Sequence, residues 1–139
     1  MAKGMLIQLK VVNAKRMSAK LLNVADGLRG ETLLLAAKVG ALPVEAEATR
    51  LVPVGATGQL KRSIRQEVTK AESNIAIVSV KAGGQGTHGG RPIARFVEFG
   101  TSRTPAQPFL RPALKGQRGA VLRAVRGVIG SEMRRRFGI

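Results

Sequence analysis

The chain has 139 residues, of which 44% are apolar and 3% aromatic, and its formal net charge is +16 at pH 7. This length and apolar content favour one folded domain spanning residues 1–139, with a core of aliphatic side chains, and argue against disorder. The absence of cysteine excludes disulfides and thiolate metal sites, and a single histidine argues against a histidine metal centre or a catalytic triad. We therefore expect no cofactor.

The excess of positive charge predicts an acidic partner, which is either nucleic acid or an electronegative protein surface. The first 30 residues lack the apolar core and small-residue cleavage site of a signal peptide. No apolar run approaches the ~20 residues that a membrane span needs. We expect a soluble chain that is made in a cytosol and has no membrane contact.

The chain begins with a predicted strand or arm, residues 1–13. Within it, Met5 to Val12 is short, apolar and β-branched toward its end, as strands are. Its position at a terminus predicts either an edge strand of the sheet or an arm that pairs with a neighbouring subunit.

A long helical pattern follows, in two runs of apolar residues that recur every three or four positions. This spacing predicts an amphipathic helix whose apolar stripe faces the core. Gly27 and Gly30 fall between the runs, so we expect two helices or one bent helix with a break near residues 27–30. Pro43 interrupts the second run, and a short helix is expected to restart near Glu45. The predicted core-facing residues are Met17, Leu21, Val24, Leu28, Leu35, Val39, Leu42 and Ala46.

The segment Leu51–Ile64 is predicted to be a turn that leads into a single helical turn. Pro53 ends the preceding helix, Gly58 permits a tight turn, and Thr57 can cap a turn that carries Leu60 inward. A glycine-rich phosphate loop is the alternative for this segment. This phosphate loop is excluded because no lysine and hydroxyl pair follows the second glycine at the spacing that such loops require.

A β-hairpin is predicted next. Its strands are Ile64–Val68 and Ile75–Lys81, joined by the turn Lys70–Asn74. The second strand is apolar on both faces, which predicts a central position in the sheet. Residues 82–91 are rich in glycine and predict a flexible loop. His88 lies in this loop, where we expect it to be solvated, because the sequence offers no partner ligands for a metal.

The stretch from Arg91 to Leu114 holds three of the four phenylalanines and four of the six prolines of the chain. Apolar and other residues roughly alternate from Ile93 to Phe99, which predicts a half-buried strand that Gly100 ends. Thr101–Gln107 then reads as a polar turn stiffened by proline, and Pro112 suits the first turn of a helix. The predicted unit is a strand, a rigid elbow and a helix start.

The tail, Ala113–Ile139, is predicted to be a helix with valine and isoleucine residues on one side and arginines on the other. From Arg91 to the end the chain carries 11 basic and 2 acidic residues. Two interpretations stay open: a solvated basic face, or a contact with DNA phosphate or an acidic protein ring that weakens with salt. The candidate contact residues are Arg123, Arg126, Arg134, Arg135 and Arg136.

Three motifs occur together in this chain: Pro53-Val-x-x-Thr-Gly-x-Leu-Lys-x-Ser-Ile64, Ala94-Arg-Phe-Val-Glu-Phe-Gly-Thr101 and Gln107-Pro-Phe-Leu-Arg-Pro-Ala113. In order, spacing and overall length, residues 20–130 resemble the head–tail completion (neck) proteins of long-tailed bacteriophages and related prophages, of the lambdoid tail-component type. Ile93 stands where members often carry tyrosine, so a hydroxyl contact from this position is not expected.

The resemblance implies an α+β fold, with a small, mainly antiparallel sheet packed against a long N-terminal helical region and a C-terminal helix. It implies a structural virion protein at the head–tail junction, present in the host cytoplasm during assembly, and no catalysis. It also implies a homo-oligomeric ring of roughly six or twelve copies. The ring would join the portal or connector (adaptor or stopper) proteins to the tail terminator or tail tube protein and let packaged double-stranded DNA pass.

The motif residues are candidates for the interfaces of this assembly, together with the elbow between the predicted strand and helix. A proline-stiffened elbow suits docking because little conformational entropy is lost on binding. The candidate interface residues are Pro53, Thr57, Gly58, Leu60, Ser63, Phe96, Glu98, Phe99, Gly100, Thr101, Pro108, Phe109, Arg111 and Pro112.

Two other classes of function stay open. The charge favours a sequence-independent nucleic-acid-binding protein, although four aromatic residues offer little base stacking. A small basic enzyme such as a nuclease is disfavoured by the lack of divalent-metal ligands. Glu98 is the one acidic residue of its predicted strand, and with no second carboxylate or histidine nearby we expect a salt bridge to an arginine.

Overall fold

A computed structural model describes residues 5–12, 29–55, 58–83 and 93–138 of the chain. It confirms the α+β class. The predictions for Met17 to Leu28, for Thr57 and for the loop that holds His88 lie outside the described residues. The elements are β1 (Met5–Val12), α1 (Glu31–Leu51), α2 (Gln59–Arg62), β2 (Arg65–Glu72), β3 (Ile75–Ala82), α3 (Ile93–Phe99), α4 (Leu110–Gly116) and α5 (Arg118–Phe137).

The described strands form an antiparallel sheet in the order β1-β3-β2. β3 is the central strand, as predicted from its apolar residues on both faces. β1 lies at one edge, where Met5 is opposite Ala82 and Val12 is opposite Ile75. β2 forms the other edge and is mostly exposed. Alternate residues of β3 point into the core: Ala76, Val78, Val80 and Ala82.

The predicted turn Lys70–Asn74 is wrong in its extent. β2 continues to Glu72, which pairs with Ile75, so only Ser73 and Asn74 remain for the turn. A register shift between Val68 and Lys70 marks a bulge in the strand. The extra residue is accommodated there, which lets β2 stay paired with β3 beyond the bulge.

Helix α1 packs against the sheet with a face made of small residues, and the predicted core stripe is wrong. Leu35 and Leu42 are 47% and 53% exposed, and Ala46 is exposed as well. Small side chains allow the helix backbone to approach its neighbours closely along most of this face, which has Leu33 as its one buried leucine. The buried face is Leu33, Ala36, Ala37, Gly40, Ala41, Val44 and Ala48.

The predicted interruption at Pro43 is also wrong, because α1 runs unbroken from Glu31 to Leu51. A proline inside a helix removes one backbone hydrogen bond and costs about 3 kcal/mol. Ala41 and Val44, on either side of Pro43, are fully buried. Packing of this continuous face offsets the local penalty, since tertiary contacts supply most of the stability of helices in proteins. The helix ends just before Pro53, as predicted.

The C-terminal helix begins at Leu110, three residues earlier than predicted, and Gln117 divides it into α4 and α5. Its apolar side faces α1: Val121 is buried, and an added Cβ at Gly40 would lie 2.7 Å from Val125 Cγ2. The predicted arc is therefore confirmed at these positions. The order of layers is sheet, α1 and then α5.

A pair of glycine substitutions tests this packing. Gly40→Ala is expected to lower the free energy of unfolding by up to about 2 kcal/mol, because the overlap of the new methyl group with Val125 costs about 1–3 kcal/mol and the gain in helix propensity offsets only about 1 kcal/mol of it. Gly127→Ala on α5 meets no atom within 4 Å and is expected to raise it by up to about 1 kcal/mol through helix propensity. Urea unfolding followed by circular dichroism measures both changes. Equal effects at the two sites would contradict the close approach of α1 and α5.

Candidate functional site

The predicted strand at Ile93–Phe99 is wrong, because these residues form helix α3. Ala94 and Glu98, four positions apart, are both fully buried on one side of the helix. The alternation that predicted a strand was only approximate, and the spacing of four fits a helix whose one side faces the core. Gly100 ends the helix at a φ of 74° and donates its N–H to the Phe96 carbonyl at 2.8 Å.

The buried carboxylate of Glu98 joins α3 to the start of α4. Glu98 Oε2 accepts hydrogen bonds from the N–H groups of Phe109 at 2.6 Å and Leu110 at 2.9 Å. Glu98 Oε1 accepts from the N–H of Arg111 at 2.9 Å and from its Nε at 3.2 Å. The first N–H groups of a helix have no partner within the helix, and a carboxylate there also complements the helix dipole. Glu98 thus caps α4 from a distant point in the sequence.

The predicted salt bridge of Glu98 with an arginine is confirmed, and Arg111 is that arginine. Burial raises the pKa of Glu98, whereas hydrogen bonds from three backbone amides and from the Arg111 guanidinium lower it, and the lowering dominates. The carboxylate is therefore held in its charged, accepting form at neutral pH. Three of the four hydrogen bonds that Glu98 accepts come from the start of α4 and the fourth from the Arg111 side chain, so the group is structural in this arrangement.

The residues between α3 and α4 form a turn fixed by backbone contacts, and we call residues 100–108 the elbow. Thr101 accepts hydrogen bonds through Oγ1 from the N–H groups of Arg103 and Thr104. The Gln107 N–H donates to the Val97 carbonyl at 2.7 Å, which ties the elbow back to α3. An added Cβ at Gly100 would lie 2.7 Å from the Ala106 nitrogen. The predicted rigid turn is present, and its rigidity comes from these contacts as well as from proline.

The three phenylalanines of this region divide between core and surface. Phe109 is fully buried, whereas Phe96 and Phe99 are exposed. The Arg111 guanidinium lies over the Phe99 ring at 4.6 Å from its centroid, so it bridges the buried carboxylate and an exposed aromatic ring. An apolar and cationic pair at the surface, fixed by a buried anchor, is typical of residues that dominate protein interfaces.

The first motif meets the second beside the elbow. Pro53 and Val97 line a cleft of about 170 Å³ that Phe96, Thr101 and Pro105 also border. The same two residues line an adjoining cleft of about 190 Å³. Gly58, Gln59, Leu60, Ile93 and Gly55 form the rest of that second cleft.

Other motif residues have structural positions. Ser63 donates its hydroxyl to the Leu60 carbonyl at 2.6 Å and accepts from the Gly83 N–H at 2.8 Å, so it holds α2 against the end of β3. Pro108 and Pro112 are exposed on either side of the α4 start. Sequence reasoning missed Val97 as a cleft residue, although its spacing of four from Ile93 could have indicated a shared helix face.

The arginines proposed for an acidic partner lie on α5, in a part of the fold separate from the elbow. Arg123, Arg126 and Arg134 are exposed. Arg135 and Arg136 are also exposed and form ion pairs with Glu132 at 2.6 Å and 3.2 Å. The structure therefore divides the candidate residues into two surfaces, one around the elbow and one along α5.

Two kinds of site are missing from the described parts of the chain. In residues 5–12, 29–55, 58–83 and 93–138, no three histidine, cysteine or acidic side chains come close enough to hold a metal ion. None of the helices seen in those same ranges combines the length and the apolar character that a membrane crossing requires.

The comparisons with known proteins give one match. Residues 15–100 match the family described as "Bacteriophage HK97-gp10, putative tail-component". The match covers more than half of the chain, includes α1, the second cleft and α3, and ends at Gly100, so the elbow side of the first cleft lies beyond it. No curated protein and no solved structure matches the chain significantly.

The cap formed by Glu98 predicts an acid-sensitive contribution to stability. The pKa of Glu98 in the folded chain is below its ordinary value of 4.5, so this contribution is present above pH 4.5 and is lost as pH falls through the folded pKa. Glu98→Gln is expected to cost roughly 2 kcal/mol at pH 7 and to remove that pH dependence. Urea unfolding at several pH values measures both. Glu72→Gln, at an exposed strand end, is the control, and equal losses would contradict the cap.

A second pair of variants tests the shape of the elbow. Gly100→Ala is expected to lower the free energy of unfolding by about 3 kcal/mol, through left-handed strain and contact with the backbone of Ala106. Gly58→Ala has a similar φ but meets no atom within 4 Å, so about 1 kcal/mol is expected. Thermal unfolding of both variants measures their loss of stability, and the difference between the two losses gives the cost of the contact with Ala106 apart from the left-handed strain. A cost at Gly100 no larger than that at Gly58 would refute the tight turn.

Proposed function

Because the chain belongs to the bacteriophage HK97-gp10 tail-component family, we propose that this phage tail-related structural protein acts at the head–tail junction of the virion. Several copies form a ring that joins the portal connector to the tail and lets double-stranded DNA pass. Repetition of one interface around the ring makes individually weak contacts sufficient. No catalytic step is part of this function.

The observation that supports the proposal best is the surface that the rigid elbow forms with its exposed neighbours Val54, Arg95, Phe96, Phe99 and Arg111, which we call the elbow surface. Val54 is 69% exposed beside the Pro53 cleft, and Phe96 and Phe99 are exposed on α3. Exposed apolar groups on a monomer mark sites of contact with other proteins when they cluster. The Glu98 cap and the bond between Gln107 and Val97 fix this surface before binding, which reduces the entropy lost on docking.

In this proposal the elbow contacts an adjoining ring. The adaptor or stopper proteins of the connector lie on one side, and the tail terminator or tail tube protein lies on the other. The charge of the elbow surface fits an acidic neighbour, because Arg103 of the elbow and the adjacent Arg95 and Arg111 are exposed while Glu98 is buried. Like charges placed opposite each other would cost several kcal/mol, so this charge also selects the partner.

A second function, sequence-independent nucleic-acid binding, is favoured by the arginines of α5. Arg123, Arg126 and Arg134 are exposed along one helix, as phosphate contacts require. Within the ring this surface would meet either the DNA that passes or an acidic protein. An isolated protein that binds duplex DNA with strong salt dependence, and that does not join the connector, would establish this second function in place of the first.

The mass of the assembled species tests the proposed function. The purified protein, alone and mixed with connector complexes, is examined by mass photometry at low and high salt. We expect a ring, or a monomer that joins the connector in a fixed ratio. A monomer that leaves the connector unbound at both salt concentrations would refute the junction role.

Substitutions at the elbow surface, in the part that α3 supplies, test which surface joins the connector. The double variant Phe96→Ser with Phe99→Ser is expected to bind the connector at least about 10-fold more weakly, because exposed aromatic anchors dominate interfaces. Val68→Ser, which changes an exposed apolar residue of β2, is the control and should bind as the wild type does. Equal binding by all three proteins would exclude the elbow as the contact.

A further inference from the structure

Helix α1 presents a second apolar surface, which faces away from the sheet. Leu35, Val39, Leu42 and Ala46 follow one another at spacings of four, three and four, the pattern of a helix–helix contact seam. Leu35 and Leu42 are about half exposed, although the core is complete on the opposite side of the helix. We call these four residues the α1 seam. An apolar seam of this kind on a helix surface indicates a packing partner.

The charge around the α1 seam differs from that of the rest of the chain. Residues 31–51 carry three acidic residues and two basic ones, a net charge of −1. Residues 93–138 carry ten basic residues and two acidic ones, a net charge of +8. Copies of a chain with a net charge of +16 repel each other, so two copies can meet most favourably where a near-neutral or negative face meets a positive one.

Helix α5 provides such a positive face. Arg118, Leu122 and Arg126 are spaced four residues apart, so they share one side of the helix, and all three are exposed. Leu122 is 48% exposed, which places an apolar side chain between two guanidinium groups. We call these three residues the α5 face. It complements the α1 seam, whose leucines lie between Glu31 and Glu45 along the helix.

The two surfaces do not meet within one copy. α1 and α5 contact each other through Gly40, Val121 and Val125. The α1 seam lies about 130° around its helix from Gly40, and Leu122 lies about 100° around α5 from Val121. Within the described residues, each surface therefore keeps exposed leucine while the internal contact is made.

We propose that the α1 seam of one copy packs on the α5 face of the next copy. This inference rests on the proposed ring, because a closed ring needs two different, complementary patches on each copy, whereas a self-complementary patch closes into a dimer. Leu35 and Leu42 pack around Leu122 of the next copy, and Glu31 and Glu45 pair with its arginines. The two glutamates are about 21 Å apart along α1 and the two arginines about 12 Å apart along α5, a difference of about 9 Å that the long arginine and glutamate side chains span.

The contact is small. A few aliphatic side chains bury less than the roughly 1,000 Å² expected of a stable two-protein interface. Isolated pairs of copies are therefore weak, and closure of the ring or docking on the connector stabilises the assembly. The α1 seam and the elbow are separate surfaces, so contacts between copies and contacts with the adjoining ring can form together.

Cysteine cross-linking tests the contact, since the native chain has no cysteine. The double variant Leu42→Cys with Leu122→Cys is assembled with connector complexes and treated with a short bismaleimide. We expect a ladder of cross-linked species up to the full ring, whereas each single variant gives only monomers on a denaturing gel. Leu42→Cys with Val68→Cys is the control and should give no ladder. Dimers from Leu42→Cys alone would overturn the inference in favour of a self-complementary seam.

A charge exchange gives a second, independent readout. Arg126→Glu is expected to weaken ring assembly at least about 10-fold, because it faces Glu45 of the neighbouring copy. Adding Glu45→Arg to this variant is expected to restore assembly, which a folding defect would not allow. Rings that form with no ladder and no rescue would overturn this contact and leave the proposed function standing. If the wild-type protein forms no ring and does not bind the connector, the contact between copies and the proposed function are both refuted.

Discussion

The buried carboxylate of Glu98 is the interaction on which the candidate site depends. It satisfies the first N–H groups of α4 and pairs with Arg111, so α3, the elbow and α4 form one connected unit. Because burial of an uncompensated charge is costly, each of these partners is needed for the others to be stable. The cap also sets the position of Phe109 in the core and of Phe99 at the surface.

Small residues on α1 impose the second constraint. Gly40 and the alanines beside it allow α1 to lie closely between the sheet and α5, and that approach leaves no room for a large side chain at Gly40. Leu35 and Leu42 consequently point outward. The small residues that pack α1 against the sheet and α5 thus leave its leucines on the outer side, where they form the α1 seam that we propose for contact between copies.

In the described part of the chain, three surface regions that different elements supply differ in charge and chemistry. The elbow surface combines the aromatic rings of α3 with exposed arginines, the α1 seam is apolar and close to neutral, and α5 is strongly basic. A structural protein of a phage tail must contact several neighbours at once, and separate regions permit this. The family match accounts for the class of protein, and the arrangement of these regions supports its proposed place in the virion.

The sequence by itself determined the features that depend on local chemistry. The strand Met5–Val12, the helix end before Pro53, the stiff turn after Gly100 and the resemblance to phage neck proteins were all predicted, since φ restrictions and short motifs act locally. Only the tertiary structure decided that Ile93–Phe99 is a helix and that α1 buries its alanines and exposes its leucines. In both cases several local patterns were compatible with the residues, and close packing of distant segments selected one of them.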